Sequence, residues 1–229
     1  MPALTLYIGN KNYSAWSMRP WLMLREKGIA FREVRVRFDS FERGSEFKKT
    51  IGAISPAGTV PVLVDGNLVV WDSLAIAEYL AEKFPGQRLW PASMHERARA
   101  RSICAEMHTG FKALRRLCPM NIEARLPEAG ALAWRDHEDL RQDVARLDAM
   151  WSELLRHHEG GLLFGDFTLA DAFFAPVVMR LETYALPVSA TARQYMQAVQ
   201  ALPSVQQWVR EACAEHDFRP FEEPYRLGR

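Results

Sequence analysis

The sequence predicts an α/β domain followed by an all-α helical domain, and three observations support this division. Alternation of apolar and polar residues, the period of a β-strand, occurs only within the first 85 residues. Long stretches with helical periodicity fill the chain from about residue 93. Pro85 and Gly86 stand between the two parts and end the last helix of the first one. We therefore predict a first domain over 1–85, a linker over 86–92 and a helical domain over 93–229.

The first domain begins with a strand, a helix and a second strand. LTLYI, over 4–8, places its leucines and isoleucine on one face. We expect Ser17 to cap the helix that follows, with Pro20 in its first turn and Gly28 at its end. The next segment, FREVRVRF over 31–38, alternates apolar residues with arginines, as a strand with one solvated face does.

A short helix, a hairpin and a third helix complete this domain. A polar helix is predicted over roughly 45–50, before the loop IGAISPAGT. The runs VLV and LVV flank Asp65-Gly66-Asn67, and an Asp-Gly pair between β-branched runs is a strong hairpin signal. Asp72 and Ser73 then open the helix SLAIAEYLAEKF. The order β-α-β-α-β-β-α is that of a thioredoxin-like domain with a helical partner.

Every periodic segment of the second domain is helical. We predict one helix in RARARSICAEMHTGFKALRRL, ended by Pro119, and a second in HEDLRQDVARLDAMWSELLRHH, ended by Gly160-Gly161. FTLADAFFAPVVMRLETYAL supplies a third. Two shorter helices are expected in QYMQAVQALPSVQQWVREACAEH, separated near Pro203.

Composition and charge exclude several classes of protein. Hydrophobic residues make up 48% and charged residues 25% of the 229 residues, which is typical of a globular chain with a core. The net charge of +1 supports neither a nucleic-acid surface nor a polybasic membrane anchor. No apolar run approaches the roughly 18 residues of a membrane span, and the first residues do not resemble a secretory signal. Because the three cysteines are widely separated, we expect no disulfide framework and a reducing, cytoplasmic location.

Four motifs carry a family resemblance. They are YSAWSMR at the first strand–helix junction, SPAGTVPVL before the third strand, WDSLAIAEYL after the hairpin and FTLADAFFAP in the helical domain. In this order, the chain resembles the glutathione S-transferase superfamily, and within it the zeta-like, serine-type bacterial members. The resemblance covers essentially the whole chain. It implies the cytosolic glutathione-transferase fold, glutathione as co-substrate without a metal, and a homodimer in which the first domain of one subunit packs on the helical domain of the other.

Ser14 is the candidate catalytic residue. It matches the activating serine of the serine-type members, five residues before Arg19, which we expect to pair within or between the domains. A hydroxyl that donates to a thiolate, together with the positive end of a helix, could lower a thiol pKa by about 2 units, or roughly 2.7 kcal/mol. Tyr7, Tyr13 and Ser17 are rival hydroxyls, although Tyr7 lies inside the strand and Ser17 is the expected cap.

The resemblance places glutathione against two further elements. It implies a cis bond between Val60 and Pro61, which turns the backbone N–H and C=O of Val60 toward the cysteine of the ligand. Thr59 stands where many relatives have a longer polar residue, so one ligand contact is expected to be weaker. Asp72 and Ser73 suit the γ-glutamyl zwitterion, with Ser73 and helix amides binding its carboxylate and Asp72 its ammonium. Both residues also serve as helix caps.

Other residues of the helical domain receive weaker or structural assignments. Thr168 and Asp171 form a capping-box signature, which the family uses to start a buried helix, so we assign them a structural role. His157 and His158 diverge on a helix, and no HExxH or CxxC pattern occurs, so we expect no metal site. Four residues are candidates for an apolar pocket that receives the electrophile: Met107, His108, Phe111 and Met120.

Three functions remain open from the sequence. The first is transfer of glutathione to a small hydrophobic electrophile. The second is glutathione-dependent cis–trans isomerisation of the maleylacetoacetate or maleylpyruvate type, which ranks lower because Ala15 stands where those isomerases have a second serine. The third is a non-catalytic member of the fold that acts as a binding or interaction module. The intact set of Ser14, Val60-Pro61 and Asp72-Ser73 argues against the third.

Overall fold

The computed structural model describes residues 4–228 and consists of a mixed sheet with three helices, followed by seven helices. The strands are β1 Leu4–Ile8, β2 Phe31–Arg35, β3 Val62–Asp65 and β4 Leu68–Trp71. The helices that accompany them are α1 Ala15–Glu26, α2 Glu46–Gly52 and α3 Ser73–Lys83. The remaining helices are α4 Met94–Thr109, α5 Lys112–Leu117, α6 Pro127–Asp136, α7 Glu138–His157, α8 Leu169–Thr183, α9 Ala190–Ala201 and α10 Pro203–Ala214. Short 3₁₀ turns lie at Pro85–Gln87 and Pro220–Glu222.

The sheet has the strand order β2-β1-β3-β4. β1 and β2 run parallel and are joined by α1, whereas β3 is antiparallel to both β1 and β4. The β3–β4 connection is the predicted hairpin, in which Gly66 takes a left-handed conformation with φ of 60°. This arrangement confirms the predicted fold class, a thioredoxin-like α/β unit followed by an all-α unit.

One hydrophobic core joins the two units, because α8 packs against both α1 and α4. Nearly every residue of α8 is buried, as expected for the central helix of a bundle. Trp21 of α1 and Trp208 of α10 meet edge to face with their ring centroids 5.1 Å apart. The orientation of α1, and of the loop before it, is therefore fixed by the helical unit as well as by the sheet. None of the helices within residues 4–228 is long and apolar enough to cross a membrane.

The start of α1 corrects the sequence prediction, which placed the cap at Ser17. The helix begins at Ala15 and its cap is Ser14, whose hydroxyl oxygen accepts the backbone N–H of Ser17 at 3.4 Å. Ser17 is the third residue of the helix, and its own hydroxyl accepts the N–H of Gly9. Two serines three residues apart satisfy the same capping pattern, so local spacing could not separate them.

The predicted first helix of the second unit is in fact two helices. It breaks at Gly110, which is extended, and Phe111, which is left-handed with φ of 53°. The Arg115 guanidinium of α5 folds back and donates to the last carbonyls of α4, those of Met107 and His108. These bonds satisfy groups that the helix end would otherwise leave free.

Helix α6 was missed from the sequence. It starts at Pro127, a favoured first helical residue, and Glu128 lies in its first turn. Its interior residue Gly130 weakens the helical signal. The structure explains this glycine, since a Cβ at Gly130 would lie 1.9 Å from the carbonyl oxygen of Tyr184.

Candidate functional site at the β1–α1 junction

Ser14 lies where β1 gives way to α1, with its hydroxyl at the positive end of the helix. The side chain is 5% exposed and its oxygen is 2.7 Å from the hydroxyl oxygen of Ser17. The free N–H groups of the first helical turn and the helix dipole favour an anion at this position. The site therefore combines a hydroxyl donor with a favourable potential for negative charge.

The rival tyrosines do not have this geometry. The Tyr13 hydroxyl donates to the Glu223 carboxylate at 2.7 Å and accepts the N–H of Arg219. Burial, and to a lesser extent the bond to Glu223, raises the pKa of Tyr13 well above its usual value. The phenol therefore stays protonated and hydrogen-bonded to Glu223. Tyr7 packs beside a second, smaller hydrophobic cluster on the sheet. Ser14 is thus the hydroxyl at the helix end that remains close to open space.

That space is a cavity of about 400 Å³ between the two units, which we call the thiol cavity. Its walls near Ser14 are largely aromatic, and its far side carries charged groups from α5, α8 and the C-terminal 3₁₀ turn. The lining residues are Tyr13, Ser14, Ala15, Trp16, Phe38, Phe41, Phe47, Lys48, Thr59, Val60, Arg115, Pro119, Met120, Arg180 and Glu222.

A second cavity of about 330 Å³ adjoins the first, and we call it the zwitterion cavity. The two cavities share Trp16, Thr59 and Val60 as walls. The remaining lining residues of the second are Pro61, Asp72, Ser73 and His108. The Val60–Pro61 bond is cis, as expected. The structure thus brings Ser14, Thr59, Val60, Pro61, Asp72 and Ser73 to one continuous cleft.

Asp72 caps α3 and also faces the zwitterion cavity. One carboxylate oxygen accepts the N–H of Leu74 at 2.7 Å, and the other lies 3.1 Å from Nε2 of His108. The backbone of Asp72 is left-handed, with φ of 73°, which costs energy for a residue other than glycine. Ser73 is the first residue of α3 and is 1% exposed. Burial lowers the pKa of His108, so its imidazole is neutral at pH 7 and donates to Asp72.

A buried cation lies beneath this cavity. Arg19 of α1 is 2% exposed, and its Nη1 donates to the Ser73 hydroxyl at 3.4 Å. Its guanidinium carbon lies 4.3 Å from the ring centre of Trp16 and 4.7 Å from that of Phe173, so it joins the two units. No carboxylate of residues 4–228 lies within ion-pair distance of Arg19 (its Nε also lacks a partner there). Its uncompensated charge favours an anionic group at Ser73.

The far side of the thiol cavity is charged rather than purely apolar. Arg180 donates to the carbonyl of Cys118 at 2.5 Å and to that of Arg115 at 3.5 Å, and it is close enough to the Arg115 guanidinium for the two charges to repel each other. Burial, followed by the charge of Arg115, lowers the pKa of Arg180 to about 10, so it remains charged at pH 7. Burial raises the pKa of Glu222 to about 7, against the opposing effect of Arg180. Arg115, Arg180 and Glu222 form no motif in the sequence, because they are widely separated along the chain.

The four residues predicted to form the electrophile pocket do not lie together in the structure. Met120 lines the thiol cavity, whereas His108 lines the zwitterion cavity. Met107 and Phe111 belong to the hydrophobic core and line neither cavity. Among residues 4–228, no group of three or more His, Cys, Asp or Glu side chains could hold a metal ion, and His158 binds Leu154 and Glu96 instead.

The capping box in α8 lies away from both cavities. The Asp171 carboxylate accepts the N–H of Thr168 at 2.9 Å and that of Leu163 at 3.1 Å. It also accepts the hydroxyls of Thr168 and Tyr195, both at 3.3 Å. Asp171 is fully buried, which gives the box a structural role in fixing α8 and the turn before it.

The segment after α10 completes the site from the far end of the chain. Asp217 binds the Arg37 guanidinium through two bonds of 2.8 and 2.9 Å and accepts Asn10 at 3.0 Å. Glu223 is 4% exposed and joins Tyr13 to Asn121. These contacts hold the loop before Ser14 and bring Glu222 to the thiol cavity.

Comparison with known proteins agrees with this architecture. Residues 13–83 match the family model "Glutathione S-transferase, N-terminal domain", and residues 120–211 match "Glutathione S-transferase, C-terminal domain". The chain is 33% identical to glutathione S-transferase 1 of Dianthus caryophyllus over 77% of its length and 76% of that protein. It is 29% identical to a probable maleylacetoacetate isomerase of Vibrio cholerae, covering 90% and 95% of the two chains. A glutathione transferase homologue from Burkholderia, solved with bound glutathione, superposes with a TM-score of 0.68 at 27% identity, covering 92% and 98%.

Proposed function

The chain belongs to the glutathione S-transferase family, and from this premise we propose that it is an enzyme that adds the thiolate of glutathione to a small electrophile. One observation carries the proposal: the Ser14 hydroxyl, at the positive end of α1, lines the thiol cavity, which shares the wall residues Trp16, Thr59 and Val60 with the zwitterion cavity. Glutathione carries a thiol and a γ-glutamyl zwitterion, the two groups that these adjoining cavities suit.

The residues of the zwitterion cavity would bind and orient the ligand. The γ-glutamyl carboxylate would accept the Ser73 hydroxyl and the first N–H groups of α3, with the buried Arg19 supplying positive charge beneath. The ammonium would pair with the Asp72 carboxylate, whose side chain is 45% exposed. The backbone N–H and C=O of Val60 would pair with the cysteine residue as an added strand does.

The chemistry would then depend on how much of the bound sulfur is ionised. A free thiol has a pKa of about 8.5, so only a few per cent is thiolate at pH 7. The thiol proton leaves to solvent, and the Ser14 hydroxyl donates a hydrogen bond to the sulfur anion beside the helix end. The sulfur lone pair forms the new bond to carbon, while the leaving group departs with its electron pair or the π electrons move onto the substrate.

The isomerase remains a second candidate because of the charges in the thiol cavity. Arg115 and Arg180 both line it, and within residues 4–228 the hydrogen bonds of both guanidinium groups go to backbone carbonyls rather than to carboxylates. Two cations beside the nucleophile suit an electrophile that carries a carboxylate, as a maleyl keto acid does. Ala15 lines the same cavity without a hydroxyl, which keeps the isomerase second.

We also propose a homodimer in a reducing, cytoplasmic setting. Leu68 and Trp71 of the edge strand β4 are 46% and 42% exposed, and Met94 at the start of α4 is 69% exposed. These apolar groups come from both units, as the interface inferred from the family resemblance requires. The three free cysteines suit a reducing compartment. Sedimentation velocity of the wild type and of Met94→Glu would test the dimer; a monomeric wild type would contradict it.

The decisive experiment is a pH titration of thiolate absorbance with glutathione bound, in the wild type and in Ser14→Ala. We expect the bound thiol to titrate about 1–2 units below free glutathione in the wild type and near the free value in the variant. Ser204→Ala is the matched control, since Ser204 is a buried helical serine whose hydroxyl has no partner in the described chain. An unchanged pKa in Ser14→Ala would refute the mechanism, and absence of glutathione binding by the wild type would favour the interaction module. Rates with an aryl halide and with a maleyl keto acid then separate the two enzymes.

A further inference from the structure

The hydroxyl of Ser17 is fully buried directly behind Ser14. Ser17 is 0% exposed, and its oxygen lies 2.7 Å from that of Ser14 and 3.1 Å from the backbone nitrogen of Gly9. A hydroxyl has one proton to donate and two lone pairs to accept with. The Gly9 N–H occupies one lone pair of Ser17, so the direction of the bond between the two serines determines where the proton of Ser14 points.

The available acceptors fix that direction. Within residues 4–228, the Ser14 oxygen is the only hydrogen-bond partner of the Ser17 hydroxyl apart from the Gly9 N–H, which is itself a donor. If Ser14 donated to Ser17, the buried Ser17 proton would have no acceptor, which costs free energy. If Ser17 donates to Ser14, the buried Ser17 proton has an acceptor and the Ser14 proton is free to point into the thiol cavity.

From this geometry we propose that Ser17 is a positioning residue, which directs the Ser14 proton at the glutathione sulfur. It does so through a chain of hydrogen bonds: the Gly9 N–H donates to Ser17, the Ser17 hydroxyl donates to Ser14, and the Ser14 hydroxyl donates to the sulfur. The proposal rests on the proposed function, because it requires glutathione in the cleft. With the sulfur present, the Ser14 oxygen accepts both the hydroxyl and the N–H of Ser17 and donates to the anion. Successive donors of this kind polarise one another, which strengthens the last bond.

The Gly9 N–H, the first donor in this series of hydrogen bonds, is held in a rigid position. Gly9 follows β1, and a Cβ there would lie 2.2 Å from the ring of Phe38, so the ring packs directly on the backbone. The backbone N–H of Phe38 in turn donates to the Asn10 side chain at 2.8 Å. Because a backbone N–H cannot act as an acceptor, Gly9 offers no site for the Ser17 proton, which leaves the Ser14 oxygen as its acceptor.

The test compares Ser17→Ala, Ser17→Cys and Ser17→Thr by thiolate titration of bound glutathione. We expect Ser17→Ala to raise the thiol pKa by about half a unit, a roughly threefold loss of thiolate at pH 7, with glutathione affinity unchanged. Ser17→Thr keeps the hydroxyl and is expected to restore the wild-type value, and the weaker donor of Ser17→Cys is expected to fall between. Ser204→Ala should leave the pKa unchanged, and thermal melting checks that each variant is folded.

Two results would overturn the proposal. A pKa in Ser17→Ala equal to the wild-type value would show that Ser14 needs no partner. A lower pKa would show that Ser17 competes with the sulfur for the Ser14 proton. Ser14→Ala, measured alongside, separates this failure from failure of the proposed function: if Ser14→Ala raises the pKa while Ser17→Ala does not, only the positioning role is refuted.

Discussion

Replacing Asp171 by alanine should destabilise the protein strongly without touching either cavity. The fully buried carboxylate accepts two backbone N–H groups, those of Leu163 and Thr168, and two hydroxyls. The hydroxyls can rotate to other acceptors, but the two amides are left unsatisfied at about 1–3 kcal/mol each. We therefore expect a loss of about 4 kcal/mol in the free energy of unfolding. For a chain of this length that corresponds to a fall in Tm of roughly 8–16 °C.

Urea and thermal unfolding, followed by circular dichroism, measure this loss. Asp148→Ala is the matched control, because the Asp148 carboxylate also accepts a backbone N–H and hydroxyls, from Ser189 at 2.6 Å and from Ser152 at 3.2 Å, but is only half-buried. Water can replace those bonds, so about 1 kcal/mol is expected there. Equal losses in the two variants would refute the argument that burial of the unsatisfied amides determines the cost. Asp171→Ala should also keep the wild-type pKa of bound glutathione at a temperature where it is folded.

Three further predictions concern charged groups around the cleft. Asp72→Asn keeps a side-chain cap for α3 but removes the negative charge, so KM for glutathione should rise about fivefold with kcat unchanged. Asp72→Glu keeps the charge and should raise KM less. Burial raises the pKa of Glu222 to about 7, so this residue becomes negatively charged as pH rises through 7 and should then repel a carboxylate-bearing electrophile. KM for such an electrophile should rise over this pH range in the wild type and change less in Glu222→Gln. Hydrogen bonds from Arg37 and other donors hold the pKa of Asp217 well below its usual value, although burial opposes this shift. The ionised carboxylate should therefore stabilise the folded protein at pH 7, and this stabilisation should be lost as pH falls below about 4. Urea unfolding of Asp217→Asn should show less acid sensitivity than the wild type.

The elements that could be predicted are those whose signals are local. Strand alternation in 4–8, the Asp65-Gly66 turn and the Thr168–Asp171 box each depend on neighbours within a few residues. For this reason they predicted the order of elements and the position of α8 correctly. The cleft residues Ser14, Val60-Pro61 and Asp72-Ser73 were identified by resemblance, and the structure brings them together.

The features that could not be predicted depend on distant partners. The break between α4 and α5 is stabilised by the return of the Arg115 guanidinium to carbonyls of α4. The glycine in α6 is required by the carbonyl of Tyr184, more than 50 residues away. Arg180 and Glu222 meet at the thiol cavity only through tertiary packing, so no spacing along the chain indicates them.

The contacts between the chain's two ends bear on any attempt to isolate the first unit. Lys11, 3% exposed, lies among the carboxylates of Glu33 and Glu211 and beside the rings of Trp21 and Trp208. Excising the sheet unit would remove α10 and leave this lysine and its tryptophan neighbour facing water. The active site should therefore form late in folding, after residues more than 190 positions apart have made contact. A fragment that contains only the serine loop should bind glutathione weakly.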